Sequence, residues 1–221
     1  MRIIFLIFNF SFLILLSLPL PASTTGEIVR QVQMTYEKAN DVSSEFVQKV
    51  RVAALERDIE KTGKALFKKP GKLRVEYEGE EGRLYVSDGK KLWVYEKGDT
   101  QVNVYPVNPD TLPEEALAFL GGLGNLRTHF RPSALTKNER KTLKVSDDLD
   151  WLLLIPKNPA SQLDQLILGF DRSEHTVREA FLKNESGNLS HYFFKNVVLN
   201  SGLEDEQFVF VKPKGVKEIK N

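Results

Sequence analysis

No cysteine occurs among the 221 residues. The chain therefore forms no disulfide, has no thiolate for a metal or a nucleophile, and offers no cysteine for lipid attachment. Histidine is scarce as well. His129, His175 and His191 share no ligand-like spacing, which argues against a transition-metal centre. No Gly-x-Ser-x-Gly, Walker or dinucleotide-binding signature is present. Gly121-Gly122-Leu123-Gly124 is glycine-rich, but no strand delivers it to a helix as a phosphate loop requires, so it reads as a helix stop. Asp147-Asp148 reads as a charged turn rather than a catalytic pair. Neither sign of charge dominates, with 31 basic against 30 acidic residues, and no basic stripe suits nucleic acid. These absences point to a binding protein, not an enzyme, with no cofactor and no metal.

What is present begins at the N-terminus. Arg2 is the only charge before residue 24, and Ile3 to Leu20 is almost wholly apolar. Pro19, Pro21 and the small residues Ala22 and Ser23 follow. A short positive region, an apolar core and a small-residue exit read as a secretory signal peptide. A membrane anchor is the competing reading, but about 17 apolar residues is the lower edge of a spanning helix, and prolines follow at once. Residues 1–23 are expected to be removed on export, leaving 24–221 as one domain held together by its core alone.

Gly26 to Asn40 has helical spacing, with Ile28, Val32 and Tyr36 on one side and Thr24 or Thr25 as cap. Strand-like segments follow at 41–52, 57–69, 72–78, 83–87, 91–96 and 101–105, with a turn at Pro70-Gly71. Asp88-Gly89 predicts a hairpin with a type I′ turn. The period then changes. Thr111 to Leu120 reads as a short helix stopped by Gly121-Gly122, and a second helical piece is expected over 124–129. Further strands are expected at 141–145, 151–155, 163–171, 176–183, 189–199 and 208–211. Short strands joined by tight turns favour an antiparallel meander.

Gly63 to Glu96 is the most informative stretch. Leu73, Val75 and Tyr77 alternate with charged residues, and Leu84 and Val86 continue the alternation. Leu92, Trp93, Val94 and Tyr95 break it by being apolar or aromatic on both faces. Composition leaves two readings open: an ordinary core, or a sheet curled around an apolar cavity.

Several segments resemble one family. They are Asp41 to Lys49, Gly63 to Pro70, Leu73 to Tyr77, and above all Val86-Ser87-Asp88-Gly89-Lys90-Lys91-Leu92-Trp93-Val94-Tyr95 and the closing Phe208 to Val216. With the export signal they make the chain similar to the LolA family of periplasmic carriers of outer-membrane lipoproteins. The resemblance implies a mainly β fold: an unclosed antiparallel barrel of about eleven strands, with an N-terminal helix and short lid helices over an apolar cavity. It implies a periplasmic monomer that takes triacylated lipoproteins from an inner-membrane ABC transporter and passes them to an outer-membrane acceptor. A LolA-like periplasmic module that senses lipids or lipoproteins is the alternative. The missing cysteine favours the carrier over the acceptor, which is itself a lipoprotein. The cavity wall implied is Leu73, Val75, Tyr77, Leu84, Val86, Leu92, Trp93 and Tyr95. The lid and its latch are Lys69, Leu117, Phe119, Leu120 and Gly121. The family usually has Arg before the proline that ends the early strand, thought to bond the lid helix. Here Lys69 stands there, with a charge and three donors but no planar fork. It reads either as a latch to carbonyls around Ala118 to Gly122 or as a solvated lysine at a strand end.

Overall fold

The computed structural model describes residues 24–52, 57–79, 82–107, 126–158, 163–184 and 187–220. Helix α1 (Thr25–Lys38) opens the chain. Six strands follow: β1 (Asp41–Val52), β2 (Arg57–Lys68), β3 (Lys72–Tyr77), β4 (Arg83–Asp88), β5 (Lys91–Glu96) and β6 (Gln101–Pro106). After a helical turn α2 (Leu126–His129) come β7 (Phe130–Ser133), helix α3 (Lys137–Leu143), β8 (Leu149–Pro156), β9 (Leu163–Asp171), β10 (Val177–Asn184) and β11 (Leu189–Leu199). A 3₁₀ turn (Asp205–Phe208) and β12 (Lys217–Lys220) close the described chain.

All twelve strands belong to one sheet, ordered β12-β6-β5-β4-β3-β2-β1-β11-β10-β9-β8-β7. Neighbours are antiparallel except β12, which pairs with β6 in parallel. The two edges, β12 and β7, do not pair, so the sheet is unclosed. It is nonetheless strongly curled. β3 and β8 stand six strand steps apart, about 29 Å on a flat sheet at ~4.8 Å per step. Yet Leu73 and Val75 of β3 share one contiguous core with Leu152 and Leu154 of β8. Only a curled sheet brings those faces together, and the extra residue of β11 opposite Ser43 to Glu45, where Asn196 has φ 51°, bends that strand.

α1 fills the hollow. Val29, Val32 and Tyr36 recur at helical spacing and are buried in the same core. Thr24 caps it, accepting from the Glu27 N–H at 3.2 Å. On the floor, Phe46 lies across Gly63: a Cβ at residue 63 would stand 2.4 Å from the Phe46 ring and 2.5 Å from the Glu76 carbonyl. Only glycine leaves room for the ring, which packs edge-on against Tyr77 at 5.0 Å between centroids.

The structure corrects several expectations. Residues 137–143, not a strand over 141–145, are helical. Thr136 and Glu139 form a reciprocal capping box, the Ser/Thr-x-x-Glu signal that outweighs the alternation of Leu143 and Val145. Residues 208–211 are not a strand either. Phe208 ends the 3₁₀ turn and 209–211 follow it, and the sheet gains β12 instead. β7 was not expected. In the β4–β5 hairpin the loop is Gly89-Lys90, and only Gly89 has positive φ, at 92°. That is the pattern of a type II′ turn, not I′, because glycine takes the first loop position. The helix expected over 111–120 lies outside the described residues.

Candidate functional site

The curled face under α1 is the candidate site. Tyr36 fastens the helix to it. The Val177 N–H donates to the Tyr36 hydroxyl at 3.0 Å, and the ring is fully buried. Burial pushes the phenol up to about 12, since the low-dielectric interior disfavours the phenolate.

Lys69 holds the same turn from the other side. Its ammonium donates to the Tyr36 carbonyl at 2.8 Å and the Glu37 carbonyl at 3.0 Å. These lie in the last turn of α1, at the negative end of the helix dipole, and the Tyr36 carbonyl also accepts from the Ala39 cap N–H at 3.3 Å. Three rotatable donors on one nitrogen suit two adjacent carbonyls. The expected partners around Ala118 to Gly122, and the lid residues Leu117, Phe119, Leu120 and Gly121, lie outside the described residues. Lys69→Leu is expected to lower stability by about 1 kcal/mol, because the ammonium is partly exposed. It should also raise amide exchange selectively in the last turn of α1. Unchanged exchange there, measured by mass spectrometry, would show that Lys69 does not hold the helix.

The eight residues expected to form one wall divide between two faces. Leu73, Val75, Tyr77 and Leu92 join the core under α1. Trp93 and Tyr95 belong to a separate cluster on the opposite face, with Val102, Val216 and Phe210. Register places Val86 opposite Trp93 and Leu84 opposite Tyr95, so these two share that outer face. The residue there that the alternation of Leu84 and Val86 left out, Tyr85, is the one that points into the hollow.

The outer face is covered by the C-terminal segment. Phe210 stacks on Trp93 at 5.9 Å between centroids and meets Tyr95 at 6.1 Å. Asp205 anchors the segment between Lys68 and Lys72, each at 2.7 Å. Hydrogen bonds from Lys68 first, and from Lys72, hold the Asp205 carboxyl down at about 2. A carboxylate whose pKa falls on folding stabilises the fold above its unfolded pKa near 4, and that contribution is lost as pH drops through the folded value. The anchor should therefore fail between about pH 4 and pH 2. Proteolytic nicking of 205–220 is expected to rise in that window, and in Asp205→Asn it should already be raised at pH 7. Identical digestion of the two proteins at neutral pH would discount the anchor. A further contact, Asp41 accepting from Ser201 N and Gly202 N at 2.7 and 3.1 Å, ties the start of the segment to β1.

The hollow also contains residues that strand periodicity did not single out as site residues. Val42 and Phe46 of β1 and Tyr192 and Phe194 of β11 line it, with Gln48 beside them. Their strands were legible, but nothing local reveals that β1 and β11, nearly 150 positions apart, are neighbours.

Residues 37–211 match the family described as outer membrane lipoprotein carrier protein LolA. An outer-membrane lipoprotein carrier protein of Nitrosomonas europaea is 26% identical over 202 residues, covering 91% of this chain and 93% of that protein. One from Chromohalobacter salexigens is 25% identical over 205 residues, covering 93% and 92%. In fold, the crystal structure of an uncharacterized conserved protein from Thermus thermophilus matches with a TM-score of 0.52 at 13% identity, over 89% of this chain and 98% of that one. With a family match that runs from the end of α1 into the C-terminal segment, this chain belongs to the LolA family of outer membrane lipoprotein carrier proteins.

Proposed function

We propose that this protein is a periplasmic carrier that shields the acyl chains of lipoproteins released from the inner membrane and delivers them to the outer membrane. The observation that carries this reading is a single apolar face, lined from β1 to β11 and covered by a helix held at its C-terminal end by one lysine. Each buried methylene of an acyl chain contributes about 0.8 kcal/mol. α1 occupies the same face with Val29, Val32 and Tyr36, so chain binding and helix docking compete for one apolar surface. Competition of that kind lets a carrier hold its load without keeping it. The role is binding without catalysis.

On this reading residues 1–23 direct export and are removed, and the mature protein works as a monomer. An inner-membrane lipoprotein-releasing ABC transporter loads it and an outer-membrane acceptor unloads it. The four residues Leu73, Val75, Tyr77 and Leu92 form part of the chain-binding wall. Lys69 acts as a latch on α1. The test is to isolate the mature protein from the periplasm without detergent and weigh what accompanies it by native mass spectrometry. Triacylated lipoproteins are expected. Recovery of free lipid only, or of nothing bound, rejects the carrier reading.

A further inference from the structure

One polar cluster interrupts the apolar face. Gln48 of β1 donates through Nε2 to the Tyr192 hydroxyl at 2.7 Å and to the Ser190 hydroxyl at 3.3 Å. The Tyr77 hydroxyl of β3 lies 3.4 Å from that of Tyr192. All four side chains are buried. Polar groups in such a place weaken an apolar core, since their mutual hydrogen bonds only offset the loss of water. A face that only had to bury α1 has no need of them.

Their position is informative. Along β1 this face runs Val42, Ser44, Phe46, Gln48, and Val42 sits at the end where Lys69 holds α1. Gln48 pairs with Lys61, which is exposed and places its ammonium 5.8 Å from the centre of the Tyr77 ring. From the end at α1 the face passes from apolar to neutral polar at Gln48, with charged Lys61 beside it at the water boundary and half-buried Val50 and Ile59 beyond. The Ser44 hydroxyl, buried on the same face, has no hydrogen-bond partner among the described residues. A diacylglyceryl group has the same order of parts: apolar chains, neutral ester carbonyls that only accept hydrogen bonds, then a polar head. Phenol, amide and hydroxyl donors match the carbonyls. Lys61, the cation over the Tyr77 ring, lies at the exposed rim, so the buried part is matched to a neutral acceptor and not to an anion.

We propose that Gln48, Tyr77, Ser190 and Tyr192 form a carbonyl-binding subsite for the ester linkages of a diacylglyceryl group. The head of the cargo then lies at the Gln48–Lys61 end, with its chains directed past Phe46 towards Val42 and α1. This orientation rests on the carrier reading of the same face.

The test measures binding of the mature protein to an S-diacylglyceryl-cysteine peptide and to free diacylglycerol, each beside its dialkyl ether counterpart. The ethers keep the chains and lose the carbonyls. Wild type is expected to bind each ester about fivefold tighter than its ether, the effect of roughly one net hydrogen bond. In Tyr192→Phe and Gln48→Leu, each shown by thermal unfolding to be folded, the ester-to-ether ratio should fall to about one. Equal binding of ester and ether by wild type, or a ratio that survives in both variants, overturns the subsite while leaving the carrier reading intact. Each ether keeps the rest of its ester, so a ratio above one with the peptide supports the subsite whether or not free diacylglycerol shows one. Binding of no probe overturns the carrier reading and the subsite with it.

Discussion

Tyr36→Ala is expected to destabilise the protein by about 5 kcal/mol. Tyr36 is fully buried between α1 and the sheet, and truncating a buried aromatic costs about 3–5 kcal/mol in lost contacts and cavity. The Val177 N–H then loses its acceptor, at about 1–3 kcal/mol for a buried group left unpaired. Both losses fall on the seam that holds α1, so helix release should precede global unfolding. Amide exchange over 25–38 should accelerate at denaturant concentrations where β1 and β11 remain protected, and binding of a dye specific for apolar surface should rise. Tyr36→Phe separates the two terms, because it keeps the ring and removes only the acceptor. It should cost about 1–2 kcal/mol. Alkali probes the burial of the same ring, which is what raises the phenol. The folded phenol titrates near 12 against about 10 unfolded, so its contribution is intact below pH 10 and is lost as pH rises towards 12. Uniform loss of protection across the whole sheet in Tyr36→Ala would mean that α1 is not a separable lid.

Trp93→Asp is expected to cost about 3 kcal/mol and to act on the other face. The carboxylate would stand between Val86 and Val104, its cross-strand neighbours, and beneath Phe210. Replacing a stacked indole with a charge removes the contact that holds Phe210 and desolvates the carboxylate. The expected result is release of the C-terminal segment, seen as rapid proteolysis beyond residue 208 and lost exchange protection in β12. Acyl-chain binding should persist in the molecules that remain folded, because Trp93 faces away from the hollow. Loss of binding with an intact C-terminal segment would return Trp93 to the chain-binding wall. Together these two variants assign separate jobs to the two faces of one sheet.

Much of the fold was legible because its signals are local. Thr24, Glu27 and the spacing of Val29, Val32 and Tyr36 define α1 to within a residue or two. Pro70-Gly71 and Gly89 place the turns that set β2 to β5. α3 was equally marked, by Thr136 and Glu139, but the alternation of Leu143 and Val145 masked it. The site was less legible. Period-2 spacing shows which residues share a face, not what covers that face. In Leu92 to Tyr95 both faces are apolar, and both are covered, one by α1 and the core, the other by Phe210 and Val216.

The sequence by itself determined an antiparallel β protein without thiol chemistry, led by an amphipathic helix and carrying the segments that mark its family. Those properties follow from residue type and short-range spacing. Only the tertiary structure decided that Lys69 reaches the end of α1, that four of the eight expected wall residues turn outward, and that Gln48 meets Tyr192 inside the hollow. Each of these depends on which distant segment lies opposite, 32 residues away for Lys69 and 144 for Gln48. Such partners are selected by the curl of the whole sheet, which no local stretch of chain encodes.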